Sequence, residues 1–109
     1  MNTRRLASAA IVVILIAAGC RSRSDQQTVE RVRSEVAKIL RKSPAEIDVA
    51  KPLGAQGADE LHIVEIVRAV ENAFEVQIPE SVVGQNLAEV KKTLTVEGLA
   101  EIVSKRKQQ

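Results

Sequence analysis

Four side chains within one short stretch hold most of the chemistry this 109-residue chain can offer: Asp59, Glu60, His62 and Glu65. Carboxylates grouped with an imidazole point either to proton transfer or to a metal. A structural zinc ion asks for about four ligands, and the chain holds one His, His62, and one Cys, Cys20. His62 and Glu65 lie at i, i+3 on a helix, but a single imidazole on an exposed face reads as a solvated group, so no metal is expected. No nucleophile elbow, glycine-rich phosphate loop or pair of opposed catalytic carboxylates is present, and no enzyme activity is expected. What remains is charge displayed on a helix.

That charge is uneven along the sequence. From Asp59 to Glu75 the acids Asp59, Glu60, Glu65, Glu71 and Glu75 face only Arg68, a local net of −4. From Thr28 to Lys42 the bases Arg31, Arg33, Lys38, Arg41 and Lys42 exceed Glu30 and Glu35, a net of +3. From Lys91 to Lys107 the balance is again +3, with Lys91, Lys92, Lys105, Arg106 and Lys107 against Glu97 and Glu101. An acidic helix between basic flanks suits docking to a basic protein, although any solvated helix carries charge. The basic ends also suit an anionic lipid surface.

The elements that position these groups are helical. Val29, Val32, Val36, Ile39 and Leu40 repeat at helical spacing, with Thr28 as the expected cap and Arg31 at N3. Arg41 and Lys42 suit the negative end of that helix, and Ser43-Pro44 stops it. Residues 43–58 form a long connection broken by Pro44, Pro52, Gly54 and Gly57, with Ile47, Val49 and Leu53 as apolar pins. Asp59 is the expected N-cap of a second helix, and Glu60 then sits at N1 against the positive end of the macrodipole. Leu61, Ile63, Val64, Ile66, Val67, Val70 and Phe74 form its apolar stripe, leaving His62, Glu65, Arg68 and Glu71 outside. A short helix is expected over about Asn86 to Lys92. Thr95 is the expected cap of a last helix that turns Val96, Leu99, Ile102 and Val103 inward.

The N-terminus has a different composition. Arg4 and Arg5 precede the uncharged run Leu6 to Ala18, which suits a signal-peptide core better than a bilayer span. Ile16-Ala17-Ala18-Gly19-Cys20 resembles a bacterial lipoprotein signal, which implies cleavage before Cys20 and a diacylglycerol group on its thiol. An uncleaved signal anchor is the alternative. Removing residues 1–19 leaves 14 basic and 14 acidic residues. A neutral chain with one Phe and no Trp or Tyr lacks the basic field and stacking surfaces of a nucleic-acid binder.

Gly57-Ala58-Asp59-Glu60-Leu61, followed by Val64-Glu65, resembles the start of the second helix of acyl carrier proteins. There the pattern reads Gly-Ala-Asp-Ser-Leu, and the serine carries 4'-phosphopantetheine. Phe74-Glu75-Val76-Gln77-Ile78-Pro79 resembles the end of the same helix, and Leu94 to Leu99 is similar to the segment that opens the family's last helix. The resemblance spans residues 28–104. It implies an all-α, small four-helix bundle of acyl-carrier type with a long first loop, a short third helix and an insertion near Val82 to Gln85. It also puts Glu60 where the family has its serine. No Ser lies between Pro44 and Pro79, so 4'-phosphopantetheine is expected to be absent.

The expected organisation is therefore a signal peptide over 1–19, a membrane tether over 20–27, the bundle over 28–105 and a polar tail over 106–109. The expected role is a non-catalytic interaction module, a monomer held at the cell envelope by lipidated Cys20. It would dock a basic partner through Asp59, Glu60, Glu65 and Glu71. One alternative is acyl or lipid handling without a covalent arm, through a cavity near Leu61, Val64 and Phe74. Another is a structural envelope lipoprotein.

Overall fold

The structure is a computed structural model that describes residues 23–83 and 86–107. The signal segment, Cys20, Arg21, Ser22, Gly84, Gln85 and the last two residues lie outside the described residues. Every regular element described is helical: α1 (Arg23–Leu40), α2 (Glu60–Phe74), a single turn α3 (Glu80–Val83), α4 (Leu87–Thr93) and α5 (Val96–Lys107). Two 3-10 turns, Pro44–Glu46 and Leu53–Gln56, punctuate the long first loop. The short third helix and long first loop expected from the sequence are both present. The turn α3, closely following Pro79, was not foreseen.

α1 packs mainly against α5 and α2, while α4 closes over the second 3-10 turn and α2. The core is aliphatic. Val32, Val36, Ile47, Leu53, Ile63, Ile66, Val70, Val96, Leu99 and Val103 are fully buried. Half-buried Val29, Ile39, Leu40, Val49, Phe74 and Ile102 pack around them. No buried polar or charged residue interrupts this core among the described residues.

α1 starts at Arg23, well ahead of Thr28, so Thr28 lies inside the helix and residues 23–27 of the expected tether are helical. Ser24-Asp25-Gln26-Gln27 carries no apolar residue, so hydrophobic periodicity cannot reach it. Gln and Arg nevertheless tolerate helix well, and Asp25 favours a first turn. The other end of α1 closes as expected at Arg41-Lys42. Arg41 takes a left-handed φ of 59°, and the Lys42 N–H reaches back to Ala37 O while the Arg41 N–H reaches Lys38 O, a Schellman closure. Ser43 is extended, as the residue before a proline should be.

α5 is longer than expected: Arg106 and Lys107 belong to the helix. Arg106 Nε donates to Gln77 O at 3.1 Å, which ties the last turn to the segment after α2. Thr95 caps α5 as expected, its Oγ1 accepting from the Gly98 N–H at 2.9 Å. Asn86 caps α4, accepting from the Glu89 N–H.

Candidate functional site

The start of α2 is held from below by the long loop. Ile47 and Leu53 are the buried pins, and Val49 is half-buried. The Leu53 N–H donates to Leu94 O at 2.8 Å, and Val49 O accepts from the Glu97 N–H, so the middle of the loop is stitched to the junction of α4 and α5. A Cβ at Gly54 would lie 2.6 Å from Lys91 O, so only glycine lets the second 3-10 turn meet α4. Gln56 binds the loop to itself. Its Oε1 accepts from the Asp48 N–H at 2.7 Å, and its Nε2 donates to Asp48 O and Lys51 O. Lys42 Nζ donates to Gln56 O at 2.8 Å, and Arg33 Nε donates to Ile47 O, joining the loop to α1.

Gly57, at φ 102°, reverses the chain in the left-handed region that favours glycine. Buried Ala58 follows, and then the cap. Asp59 Oδ1 accepts from the His62 N–H at 2.8 Å, while the Asp59 N–H donates to His62 Nδ1 at 3.1 Å. This is a reciprocal capping box in which an imidazole replaces the usual Glu or Gln. His62 is thereby part of the helix start. Among the described residues no group of three or more His, Cys, Asp or Glu side chains is placed to hold a metal.

Glu60 occupies N1 and is exposed, as are Asp59 and Glu65. Leu61, expected inside, is 67% exposed, the outlier among the described large apolar side chains. The reason is angular. Ile63, Ile66, Val67 and Val70 define the buried side, and Leu61 lies on the opposite side at 100° per residue, together with Glu65 and Arg68. Val64 is at the margin, half-buried.

Glu71 also differs from expectation. Its Oε2 accepts from the Ile78 N–H at 2.8 Å in a partly buried setting. Glu75, left-handed at φ 55°, turns the chain so that the Val76 N–H bonds Glu71 O and Ile78 falls back onto the Glu71 carboxylate. Glu71 thus closes the end of α2 and is not an open docking charge. The sequence-predicted acids therefore split: Asp59, Glu60 and Glu65 are displayed, and Glu71 is engaged.

A single cavity formed by Leu61, Val64 and Phe74 does not exist as expected. Leu61 faces solvent, and thirteen residues of helix put Phe74 about 20 Å away. Phe74 instead lines a depression with Asp25, Gln27, Thr28, Arg31, Ser104 and Lys107. Arg31 Cζ lies 5.4 Å and Lys107 Nζ 5.8 Å from its ring centroid, within cation–π range.

Glu46 was overlooked in the sequence. It accepts from the Ser43 N–H at 2.8 Å and from Ser43 Oγ at 3.1 Å. These hydrogen bonds, first the backbone one, then the hydroxyl, with nearby Lys42 adding a little, hold its carboxyl below the usual value. Ser43-Pro44-Ala45-Glu46 carries the Ser-x-x-Glu signature that would have revealed it. Gln56 and Arg33 have no such local signature, because their partners are remote in sequence.

This architecture, a helical bundle with a pinned first loop and an exposed capped start to α2, defines the class of small carrier-type bundles. The family model for the phosphopantetheine attachment site matches residues 30–94, more than half of the chain. The protein belongs to this acyl-carrier family. Among curated proteins and among solved structures, none matches the chain significantly.

Proposed function

We propose that this acyl-carrier-type domain carries no phosphopantetheine arm and works as a non-catalytic interaction module held at the bacterial cell envelope through Cys20. The observation that carries the proposal is Glu60 at N1 of α2, directly after the Asp59 cap. This is the place at which the family resemblance puts the arm-bearing serine. A phosphodiester-linked arm needs a hydroxyl, and a carboxylate has none to offer. Glu60 fits its position for another reason, since a negative charge at N1 favours the positive end of the helix dipole by about 0.3–1 kcal/mol. The exposed set Asp59, Glu60, Leu61 and Glu65 supports docking of a basic protein. It combines acids that speed encounter with an apolar side chain of the kind that anchors interfaces.

Intact mass of the protein purified from native membranes tests both halves of the reading. The expected species begins at Cys20, carries acyl chains on that residue and lacks the mass of 4'-phosphopantetheine. Incubation with coenzyme A and a broad-specificity phosphopantetheinyl transferase should add nothing, whereas Glu60→Ser should accept the arm. Labelling of the unaltered chain would overturn the armless reading. Unchanged processing and membrane retention of Cys20→Ala would replace the lipid anchor with an uncleaved signal anchor.

A further inference from the structure

The three long helices give the bundle two unlike poles. Asp25, Gln27, Thr28 and Arg31 from the start of α1 share one depression with Ala73, Phe74 and Glu75 from the end of α2 and with Ser104 and Lys107 from the end of α5. The Arg106–Gln77 hydrogen bond belongs to the same end. Hence α1 runs antiparallel to both α2 and α5, and the start of α1 and the ends of the other two meet at one pole. The opposite pole holds Lys42, Gln56 and the start of α2.

We propose that the first pole lies against an anionic lipid surface, leaving the start of α2 directed away from the membrane. The proposal rests on membrane attachment through the N-terminal segment as described above, and it holds for either a lipidated Cys20 or an uncleaved anchor. Three observations support it. The first is reach: only Arg21 and Ser22 separate Cys20 from the first residue of α1, so covalent geometry limits that separation to about 11 Å. The second is charge. Arg31, Lys105 and Lys107 are exposed here and Arg106 is half-buried. Asp25 and Glu75 are the acids that line the depression; Glu71, a turn back on α2, is engaged on the Ile78 N–H, and Glu101, a turn back on α5, is paired with Lys105 at 3.2 Å.

The third is the aromatic. The one Phe of a chain without Trp or Tyr sits at this pole, half-buried, with Arg31 and Lys107 on its ring. Cations on long apolar stems beside an aromatic ring form a surface that contacts the headgroup layer with both its charged and its apolar parts. The dock is electrostatic at its edge, so it must weaken as salt screens it.

The test is hydrogen exchange of the full chain reconstituted in vesicles of phosphatidylcholine alone or mixed with phosphatidylglycerol. Backbone exchange at the end of α5 should slow several-fold in the phosphatidylglycerol vesicles, and high salt should remove the difference. Lys105→Gln with Lys107→Gln should abolish it. Lys38→Gln with Lys51→Gln, which removes the same charge elsewhere, should leave it intact. Equal exchange in both vesicles would overturn the proposal. So would protection at residues 59–62, or protection that follows protein density instead of lipid charge. The mass of the reconstituted chain reports acylation of Cys20 separately, so a failed lipid anchor and a failed dock are distinguishable.

Discussion

The two ends of α2 carry similar charge and use it differently. At the start, Asp59 spends one carboxylate oxygen on the cap, and Glu60 and Glu65 are displayed beside an exposed Leu61. At the end, the Glu71 carboxylate holds the Ile78 N–H, and Phe74 is covered by two cations. A tally of acids along the helix treats these ends alike. The chain that follows separates them: a left-handed Glu75 brings the backbone back onto Glu71, whereas the loop before Asp59 approaches from beneath and leaves the outer face open.

The buried side of α2 underlies both ends, so Ile66→Ala should have the largest effect. Ile66 is fully buried, and truncation of such a residue costs about 2–5 kcal/mol. A urea titration should show the unfolding free energy falling by that amount and the midpoint moving down in proportion, with both ends lost in one transition.

Glu71→Ala sharpens the contrast between the ends. It leaves the Ile78 N–H without its acceptor in a partly buried place, at a cost of about 1–3 kcal/mol. Glu71→Gln retains an acceptor oxygen and should recover most of the loss. If both variants are as stable as the parent, the Glu71 carboxylate is as free as Glu65 and the distinction fails. At the other end, Asp59→Ala removes an N-cap and should cost about 1 kcal/mol, with faster exchange confined to the first turn of α2.

Much of this was readable in the sequence. The Asp59 and Thr95 caps, the end of the first helix at Arg41-Lys42 and the loop pins Ile47 and Leu53 all arise from local rules, and each is found in place. Leu61 was misplaced because a wide apolar stripe was carried into the first turn, where its direction opposes the buried side. The role of Glu71 was hidden because its partner lies seven residues on, past a left-handed residue that no propensity announces. The early start of α1 and the extension of α5 to Lys107 escaped because both are polar turns, stabilised by position and by Arg106, which hydrophobic spacing cannot register. In the site, the identity of Glu60 was legible and the exposure of its neighbour was not.

The loop offers a smaller effect that depends on acid. The folded Glu46 carboxyl lies below its ordinary value because Ser43 donates to it. A depressed carboxyl favours the fold above its unfolded value, and that favour is lost as pH falls through the folded one. Stability should therefore decline slightly across the acid side of the carboxylate range, and Glu46→Gln should flatten that part of the profile. The group is exposed, so the change is small. An identical acid profile in the variant would show that the Ser43–Glu46 contact is not maintained in solution.

The smallest stability effect, and the one that bears most directly on function, is expected on the open face of α2. Glu65→Lys and Leu61→Gln alter exposed side chains, and such changes usually stay within about 0.5 kcal/mol. Neither should move the urea midpoint appreciably. Their effects on a basic partner should differ in kind. Reversing Glu65 removes long-range attraction, so association slows and its salt dependence flattens while the lifetime of the complex is nearly kept. Removing Leu61 takes away an apolar anchor, so dissociation quickens. The measurement is association and dissociation rate against salt for a partner recovered from envelope extract. Glu71 is left untouched, so that a change in rate cannot be traced to a loosened helix end. If both variants recover the same proteins with unchanged kinetics, the start of α2 is only solvated surface, and a structural role at the envelope replaces the docking role.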